Sequence, residues 1–302
     1  METCFAGIAG KSSGGRNNVK KTVAITAITA VMGIALVASV NADPVDDTLT
    51  IDETTEITLR AKAPEGHPFD EVLSGWLFRE AETRDLERDP FENPGMLASE
   101  EGAQIWNTVE GTAGKSCASC HGDAAESMKG IGANYPKWDA EAGKPINIEL
   151  QINKCREKNM GAEPYAFDKG GQVPLTVYIK HQSLGAPMSV DLSQGEMQAW
   201  WEKGKEVYYT RTGQLNLSCA NCHEDNMGKF IRADHLSQGQ INGFPTYRLK
   251  SGLTSLHNRF RGCIRDTRAE QPKAFSDELM ALEVYVGWRG TGLSIETPAV
   301  RQ

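Results

Sequence analysis

The stretches "CASCH" (117–121) and "CANCH" (219–223) decide the fold of this 302-residue chain. In a C-x-x-C-H motif the two thiols, one helical turn apart, add across the vinyl groups of a haem, and the histidine binds the iron. Two copies favour a c-type cytochrome over paired redox dithiols, because the strand pattern of a thioredoxin-like fold is missing. The sequence predicts two covalently bound haem c groups, attached through Cys117, Cys120, Cys219 and Cys222, with His121 and His223 as iron ligands.

The first 42 residues have the composition of a secretory signal peptide. A basic region precedes the uncharged run from Thr22 to Val40, and "VNA" (40–42) is a small-residue cleavage pattern. An uncleaved anchor is the alternative, because a run of this length can just span a bilayer. The threonines and alanines of the run favour cleavage. We therefore expect a periplasmic protein whose mature chain makes no membrane contact.

The overall charge excludes one class of function. The full chain has a formal net charge of −8, and removal of the signal peptide makes the mature chain more acidic still, about −11. Such a chain should not bind nucleic acid through its overall field. A local cluster of basic residues is therefore informative.

The chain contains an internal duplication. "EGAQIW" (101–106) matches "KGKEVY" (203–208), and "VYIKHQSLG" (177–185) matches "VYVGWRGTG" (284–292). Each copy also carries one later cysteine, followed at the same intervals by a proline and by Ala-Phe. We infer that a unit of roughly 90 residues was duplicated.

The two later cysteines, Cys155 and Cys263, occupy matching places in the copies. Matching places indicate one task done twice, and a thiolate can serve as the sixth ligand of a haem iron. A disulfide between them is the alternative in an oxidising compartment. Met160 and Met188 are lesser candidates for the first haem, since methionine is the usual sixth ligand of electron carriers.

The predicted fold is mainly α, with two tandem cytochrome c-like haem domains related by duplication and an N-terminal extension. Ser193 with Glu196 resembles a capping box, and Ser276 should cap a second helix. Residues 48–60 alternate weakly like a strand. The predicted segments are a signal peptide (1–42), an extension packed on the first haem domain (43–97), a first haem domain (98–190) and a second domain with the active site (191–302).

The stretch around Cys263 is unusually basic. Between Pro245 and Lys273 the charges sum to about +5, which is more often a solvated face than a site. Here the run surrounds a cysteine expected beside a haem, where guanidinium groups would attract an oxyanion and keep a thiol ionised. Gly262 would let the backbone approach the haem or admit a substrate. We interpret the region as a loop at a reaction centre for an anion.

The chain resembles the SoxA family, the dihaem subunits of the SoxAX cytochromes of bacterial sulfur oxidation. The resemblance rests on both C-x-x-C-H motifs, on "NKC" (153–155), on "INGFPTYRLK" (241–250) and on "RFRGC" (259–263). It implies the iron ligand pairs His121 with Cys155 and His223 with Cys263. It also implies that Cys263 is catalytic and carries an extra sulfur atom as a persulfide, and that Arg259 binds substrate.

The activity implied by the family is that of an L-cysteine S-thiosulfotransferase. Thiosulfate is coupled oxidatively to a cysteine of the carrier SoxYZ, and two electrons pass through haem to the monohaem partner SoxX and a soluble cytochrome c. The alternative is a plain dihaem electron carrier resembling the c4-type cytochromes. It would use methionine ligands, and the arginines would form a docking face.

Overall fold

The computed structural model describes residues 44, 45 and 47–302, which belong to one compact unit. The predicted signal peptide lies outside the described residues. Within the described part of the chain, no helix combines the length and apolar character needed to cross a membrane.

The segment that precedes the first haem motif is built from two small hairpins and a helix. Asp52 and Glu53, both with a φ of 56°, reverse the chain inside the stretch predicted as a strand. That stretch is therefore a hairpin followed by the start of a second one. The elements are β1 (Leu49–Ile51), β2 (Thr55–Ile57), β3 (Arg60–Lys62), β4 (Glu71–Leu73), a 3₁₀ turn (Gly75–Phe78) and α1 (Ala81–Arg88).

The middle of the chain is mainly helical. Its one hairpin joins β5 to β6 in antiparallel register. The elements are α2 (Met96–Asn107), α3 (Cys117–His121), α4 (Ala124–Ser127), a 3₁₀ turn (Ile131–Asn134), β5 (Lys137–Asp139), β6 (Lys144–Ile146), α5 (Ile148–Cys155), a π-helical turn (Arg156–Met160) and α6 (Gln172–His181).

The last part of the chain has a similar helical series with a small sheet. In that sheet β9 pairs antiparallel with β10 and parallel with β11. The elements are α7 (Met197–Tyr209), α8 (Cys219–His223), β7 (Phe230–Ile231), β8 (Asp234–His235), β9 (Thr246–Arg248), β10 (Gly252–Thr254), α9 (Leu256–Asp266), α10 (Asp277–Arg289) and β11 (Ala299–Arg301).

Two helix pairs form the frame of the molecule, α2 against α6 and α7 against α10. A glycine stands at each crossing. A Cβ added to Gly102 would overlap the Pro174 carbonyl oxygen, and one added to Gly204 would overlap that of Ala281 and lie 2.8 Å from the Cβ of Tyr285. Both pairs therefore depend on backbone contact that only glycine permits.

One of the two predicted helix starts is confirmed. Ser276 caps α10 by accepting a hydrogen bond from the Leu279 amide. The prediction of a capping box at Ser193 was wrong. The Ser193 hydroxyl donates a hydrogen bond to Asp191 at 2.6 Å, and α7 begins only at Met197. The hydroxyl donates to a nearby carboxylate and does not cap the first turn of a helix.

The N-terminal segment forms hydrogen bonds with the end of the chain, and its packing on the first haem domain stays a prediction. The Leu73 amide donates to Gln238 Oε1 at 2.9 Å, and Asn93 Nδ2 donates to the Pro298 carbonyl at 2.8 Å. These partners lie in the last third of the chain. The segment also serves the C-terminal strand β11, because the buried Val300 amide donates to Glu87 Oε2 at 2.8 Å.

Candidate haem and substrate site

Both C-x-x-C-H motifs form short helices, α3 and α8, that begin with the same reciprocal cap. The Ser119 amide donates to Ser116 Oγ at 3.1 Å, and the Ser116 amide donates to Ser119 Oγ at 2.7 Å. In α8, Ser218 and Asn221 exchange equivalent bonds. The caps hold each pair of cysteines one turn apart on one helix, which is the spacing that two thioether bonds to haem require.

The first motif lines a cavity of about 290 Å³. Cys117, Cys120 and His121 contribute from α3, and Cys155 contributes from the end of α5. Trp106, Ile152 and Leu175 are among its apolar walls. Two thiols, an imidazole and a further thiol around an apolar space fit a covalently bound haem c.

Cys155 is well placed as the second axial donor of the first site. Gln151 Nε2 donates to its Sγ at 3.3 Å, and the π-helical turn begins directly after it. Such turns frequently mark functional sites. Burial, and then the neighbouring Cys155, raises the pKa of the Cys117 thiol, which places these two sulfur atoms in the same environment.

The two methionine candidates differ. Met160 lines the first cavity with Cys155, whereas Met188 does not. Met188 is 2% exposed and packs in a core with Ile295 and Tyr285. The structure thus removes Met188 as a ligand of the first haem and leaves Cys155 and Met160.

In the second site the histidine is held from two sides. His223 Nδ1 donates to the Ser237 carbonyl at 2.8 Å, because a carbonyl can only accept. A Cβ on Gly239 would lie 2.8 Å from the imidazole Cγ and Nδ1, so the backbone packs against the ring. Burial lowers the pKa of His223 to about 4. The imidazole is therefore neutral, with Nε2 free to bind iron.

Cys263 lies on a helix, so the prediction of a loop there was wrong. Ser255 caps α9 by accepting from the Asn258 amide, and Leu256, Phe260 and Ile264 recur at helical spacing on its apolar face.

Arg259 and Cys263 are four residues apart on α9 and therefore share one face. Burial, and then the nearby Cys263, raises the pKa of Cys219 to about 12. The same two causes raise the pKa of Cys222, and Arg259 lowers it. The side chains of Arg259 and Cys263 thus lie close to the attachment thiols of α8. A thiol, an attachment helix and a guanidinium meet at one place, which fits a second haem c with an anion site beside it.

The other arginines of this stretch point elsewhere. Arg261 Nε donates to the Pro272 carbonyl at 3.1 Å and its guanidinium stacks over Phe167. Arg265 is exposed and pairs with Asp266 at 3.3 Å. Within the described residues, the side chain of Arg259 makes no hydrogen bond or ion pair, so its charge is available to a ligand. The space beside Gly262 is also open, because the nearest side-chain atom lies 3.9 Å from where a Cβ would be added.

Two arginines near the second site were not predicted. Arg289 is fully buried, pairs with Glu224 at 2.7 Å, and thereby fixes the residue that follows His223. Burial, and then the nearby Arg259, lowers the pKa of Arg248, and its guanidinium donates to the Gln302 backbone oxygen at 2.9 Å. Arg289 occupies the place of Gln182 in the other copy, a difference in the sequence that could have drawn attention to it.

The alternative of a disulfide between Cys155 and Cys263 is excluded in this structure. Both thiols are free, as are the other four cysteines of the described chain. Cys155 lies with Cys117, while Cys263 lies with Cys219 and Cys222. Each later cysteine therefore belongs to a different motif.

The fold and the two motifs define a c-type cytochrome, and the comparison with protein families agrees. Residues 101–188 match the family model described as "SoxA/TsdA, cytochrome c domain". This match covers the first motif and confirms the predicted cytochrome c fold.

Curated relatives and a solved structure show to which family of c-type cytochromes the chain belongs. The L-cysteine S-thiosulfotransferase subunit SoxA of Pseudaminobacter salicylatoxidans is 76% identical over 271 residues, covering 89% of this chain and 94% of the relative. That of Rhodovulum sulfidophilum is 50% identical, covering 87% and 92%. The crystal structure of SoxXA from P. pantotrophus matches with a TM-score of 0.82 and 48% identity, covering 86% of this chain and all of that one. The chain belongs to the SoxA family of L-cysteine S-thiosulfotransferase subunits, as its motifs predicted.

Proposed function

We propose that this protein is the catalytic dihaem subunit of a thiosulfate-oxidising SoxAX complex, an L-cysteine S-thiosulfotransferase. It couples thiosulfate to a cysteine of a SoxYZ-like carrier. The curated relatives carry the name of this activity. The observation that carries the proposal is the shared face of Arg259 and Cys263 on α9, beside the attachment cysteines of α8. A c4-like carrier needs no such anion site.

Two haem c groups are part of the proposal. Cys117 and Cys120 attach the first, and its iron ligands are His121 and Cys155. The cavity lined by all four residues supports this assignment. When bound, haem would supply one-electron oxidation and reduction at each site.

The second haem is attached by Cys219 and Cys222, with His223 and Cys263 as its ligands. The carbonyl of Ser237 and the backbone of Gly239 hold the His223 ring in one orientation. A hydrogen bond donated by the other ring nitrogen, Nδ1, fixes the tautomer and raises the basicity of the ligand. We assign catalysis to this site and electron relay to the first one, because only Cys263 has a guanidinium without a protein partner on its face.

In the proposed reaction Arg259 holds the thiosulfate dianion beside Cys263. A bond forms between the outer sulfur of the Cys263 persulfide and the terminal sulfur of thiosulfate, and two electrons leave to a cytochrome acceptor. The carrier thiolate then attacks the sulfur that came from thiosulfate, its bond to the persulfide breaks, and the Cys263 persulfide is restored. The net reaction oxidises one thiol and one thiosulfate by two electrons and releases one proton.

Partners and location complete the proposal. The solved relative is named SoxXA, which supports a SoxX-like monohaem partner, and a soluble cytochrome c receives the electrons. A signal peptide over residues 1–42 would place the mature protein in the periplasm, with no nucleic-acid or membrane ligand.

We also propose that the two haem domains, 98–190 and 191–302, arose by duplication, with 43–97 as an extension. Gly102 and Gly204 support this, because each allows close packing on a closing helix at a matching tyrosine, Tyr178 or Tyr285.

A pair of variants tests the catalytic assignment. Cys263→Ser should abolish conjugation of thiosulfate to the carrier thiol while both haems remain attached. Cys155→Ser, the matched change in the first site, should lose that site's thiolate signature in electron paramagnetic resonance but retain conjugation. Wild-type conjugation by the Cys263 variant would refute the assignment.

A further inference from the structure

A buried group of acidic and basic side chains lies between the two haem sites. Glu149 comes from α5, Lys180 from α6, His257 from α9 and Glu283 from α10. Glu149, His257 and Glu283 are buried. None of these four residues has a place in the proposed reaction, and buried ionisable groups are costly unless they are paired.

Hydrogen bonds fix the tautomer of His257 and make Glu283 an acceptor. His257 Nδ1 accepts from the Phe275 amide at 3.0 Å, so Nε2 carries the proton. That nitrogen donates to Glu283 Oε2 at 2.9 Å, and Asn147 Nδ2 donates to the same oxygen at 3.0 Å. Glu283 is therefore held as an acceptor by two donors.

Glu149 is in a different position. Within the described residues its carboxylate has no side-chain partner and accepts a hydrogen bond only from its own backbone amide. A cavity of about 20 Å³ separates it from Lys180, Thr176 and Glu283, which is room for one water molecule. Burial, and then the nearby Glu283, raises the pKa of Glu149 to about 7, while burial lowers that of Lys180. Glu149 is thus the group that can change its protonation near neutral pH.

The cluster shares walls with both haem sites. Tyr135 and Ile148 line the small cavity and also the 290 Å³ cavity of the first motif. Leu256 lines the small cavity and packs in the core that Cys219 contacts. A charge added at either site acts on Glu149 through protein rather than water, so it is weakly screened.

We propose that Glu149 is a proton site coupled to electron uptake. When an electron from a cytochrome or another reductant enters a neighbouring redox centre, the Glu149 carboxylate takes one proton from water and forms an O–H bond. Oxidation breaks that bond and returns the proton to solvent. The groups that face Glu149 are Lys180, Glu283, His257 and Tyr135. The inference rests on the proposed function only in requiring haem at the two sites.

The test is a redox titration of the holoprotein, followed by absorbance at several pH values from 6 to 8. In wild type the midpoint potential of at least one haem should fall as pH rises, with the slope centred near pH 7. Glu149→Gln should remove that part of the slope, and Lys180→Met should move it to higher pH, since the nearby cation is lost. Glu101→Gln, at an exposed position on α2, is the control and should leave the slope unchanged.

A second measurement on the wild-type protein keeps the test independent of folding. The infrared difference spectrum between reduced and oxidised protein should contain the stretch of a protonated carboxyl group that gains intensity on reduction. An unchanged slope in a folded Glu149→Gln variant, or no such band in wild type, would overturn the inference. Thiosulfate conjugation, assayed on the same protein, separates the two proposals. A potential that does not change with pH, together with full conjugation, contradicts only the proton site. A potential that falls with pH, together with no conjugation, contradicts only the proposed function.

Discussion

The contact between Gly239 and the ring of His223 allows a matched test of how the second iron ligand is positioned. Gly239 has a φ of +77°, and a Cβ there would lie 2.8 Å from the imidazole. Gly252 has a φ of +78°, but no atom lies within 4 Å of its added Cβ. Alanine at either position therefore suffers the same backbone strain, and only the Gly239 variant also presses on the ligand.

The backbone strain and the contact with the His223 ring set the expected losses in the free energy of unfolding. Gly252→Ala should lower the free energy of unfolding by about 1–2 kcal/mol, the cost of left-handed backbone for a residue with a Cβ. Gly239→Ala should lose about 1–3 kcal/mol more, because the ring or the backbone must move. Displacement of His223 should also shift the electron paramagnetic resonance signal of the second haem.

Chemical denaturation of both holoproteins, with spectra of the folded variants, measures these effects. If the two variants are equally stable and both keep the wild-type spectrum, Gly239 does not position His223 and the reasoning is wrong.

The remaining predictions concern stability. Gly204→Ala should lower the free energy of unfolding by about 2 kcal/mol or more despite the better helix propensity of alanine, since the α7–α10 crossing must open; exposed Glu202→Ala on the same helix should stay within about 0.5 kcal/mol of wild type in the same denaturation. Arg301→Met should cost about 3–5 kcal/mol, because Arg301 pairs with Glu87 at 2.6 Å and with Glu296, and both carboxylates would stay buried without a cation. Arg60→Met, which breaks the exposed pair with Glu71, should cost less than about 1 kcal/mol, and equal losses in the two arginine variants would contradict this account. The pKa of Glu149 is raised from 4.5 to about 7 by folding, so its contribution to stability is complete below pH 4.5 and is lost as pH rises through about 7. The unfolding free energy of wild type should thus fall by up to about 3 kcal/mol over this window relative to Glu149→Gln, and parallel curves would refute the raised pKa.

Local chemistry was readable from the sequence because it depends on neighbouring residues. The two attachment helices follow from C-x-x-C-H, and the start of α10 follows from Ser276. The α9 helix was missed although Leu256, Phe260 and Ile264 recur at helical spacing, because the arginines between them were interpreted as a loop at a reaction centre.

Contacts between distant segments were not readable. The Leu73 amide bonds Gln238 across 165 residues, and no local pattern in either segment indicates the other. The carbonyl of Ser237 that holds His223 is likewise a backbone atom, which any residue would supply. Only folding brings such partners together, so these long-range contacts could not be predicted from the sequence, and the iron ligands stay a prediction.

Mass analysis of peptides from the holoprotein tests the central claim most directly. The account predicts one haem on the peptide with Cys117 and Cys120 and one on the peptide with Cys219 and Cys222. It also predicts that the Cys263 peptide, and not the Cys155 peptide, carries an added sulfur of about 32 Da. An unmodified Cys263 in enzyme that actively conjugates thiosulfate, or the same added sulfur on Cys155, would contradict it.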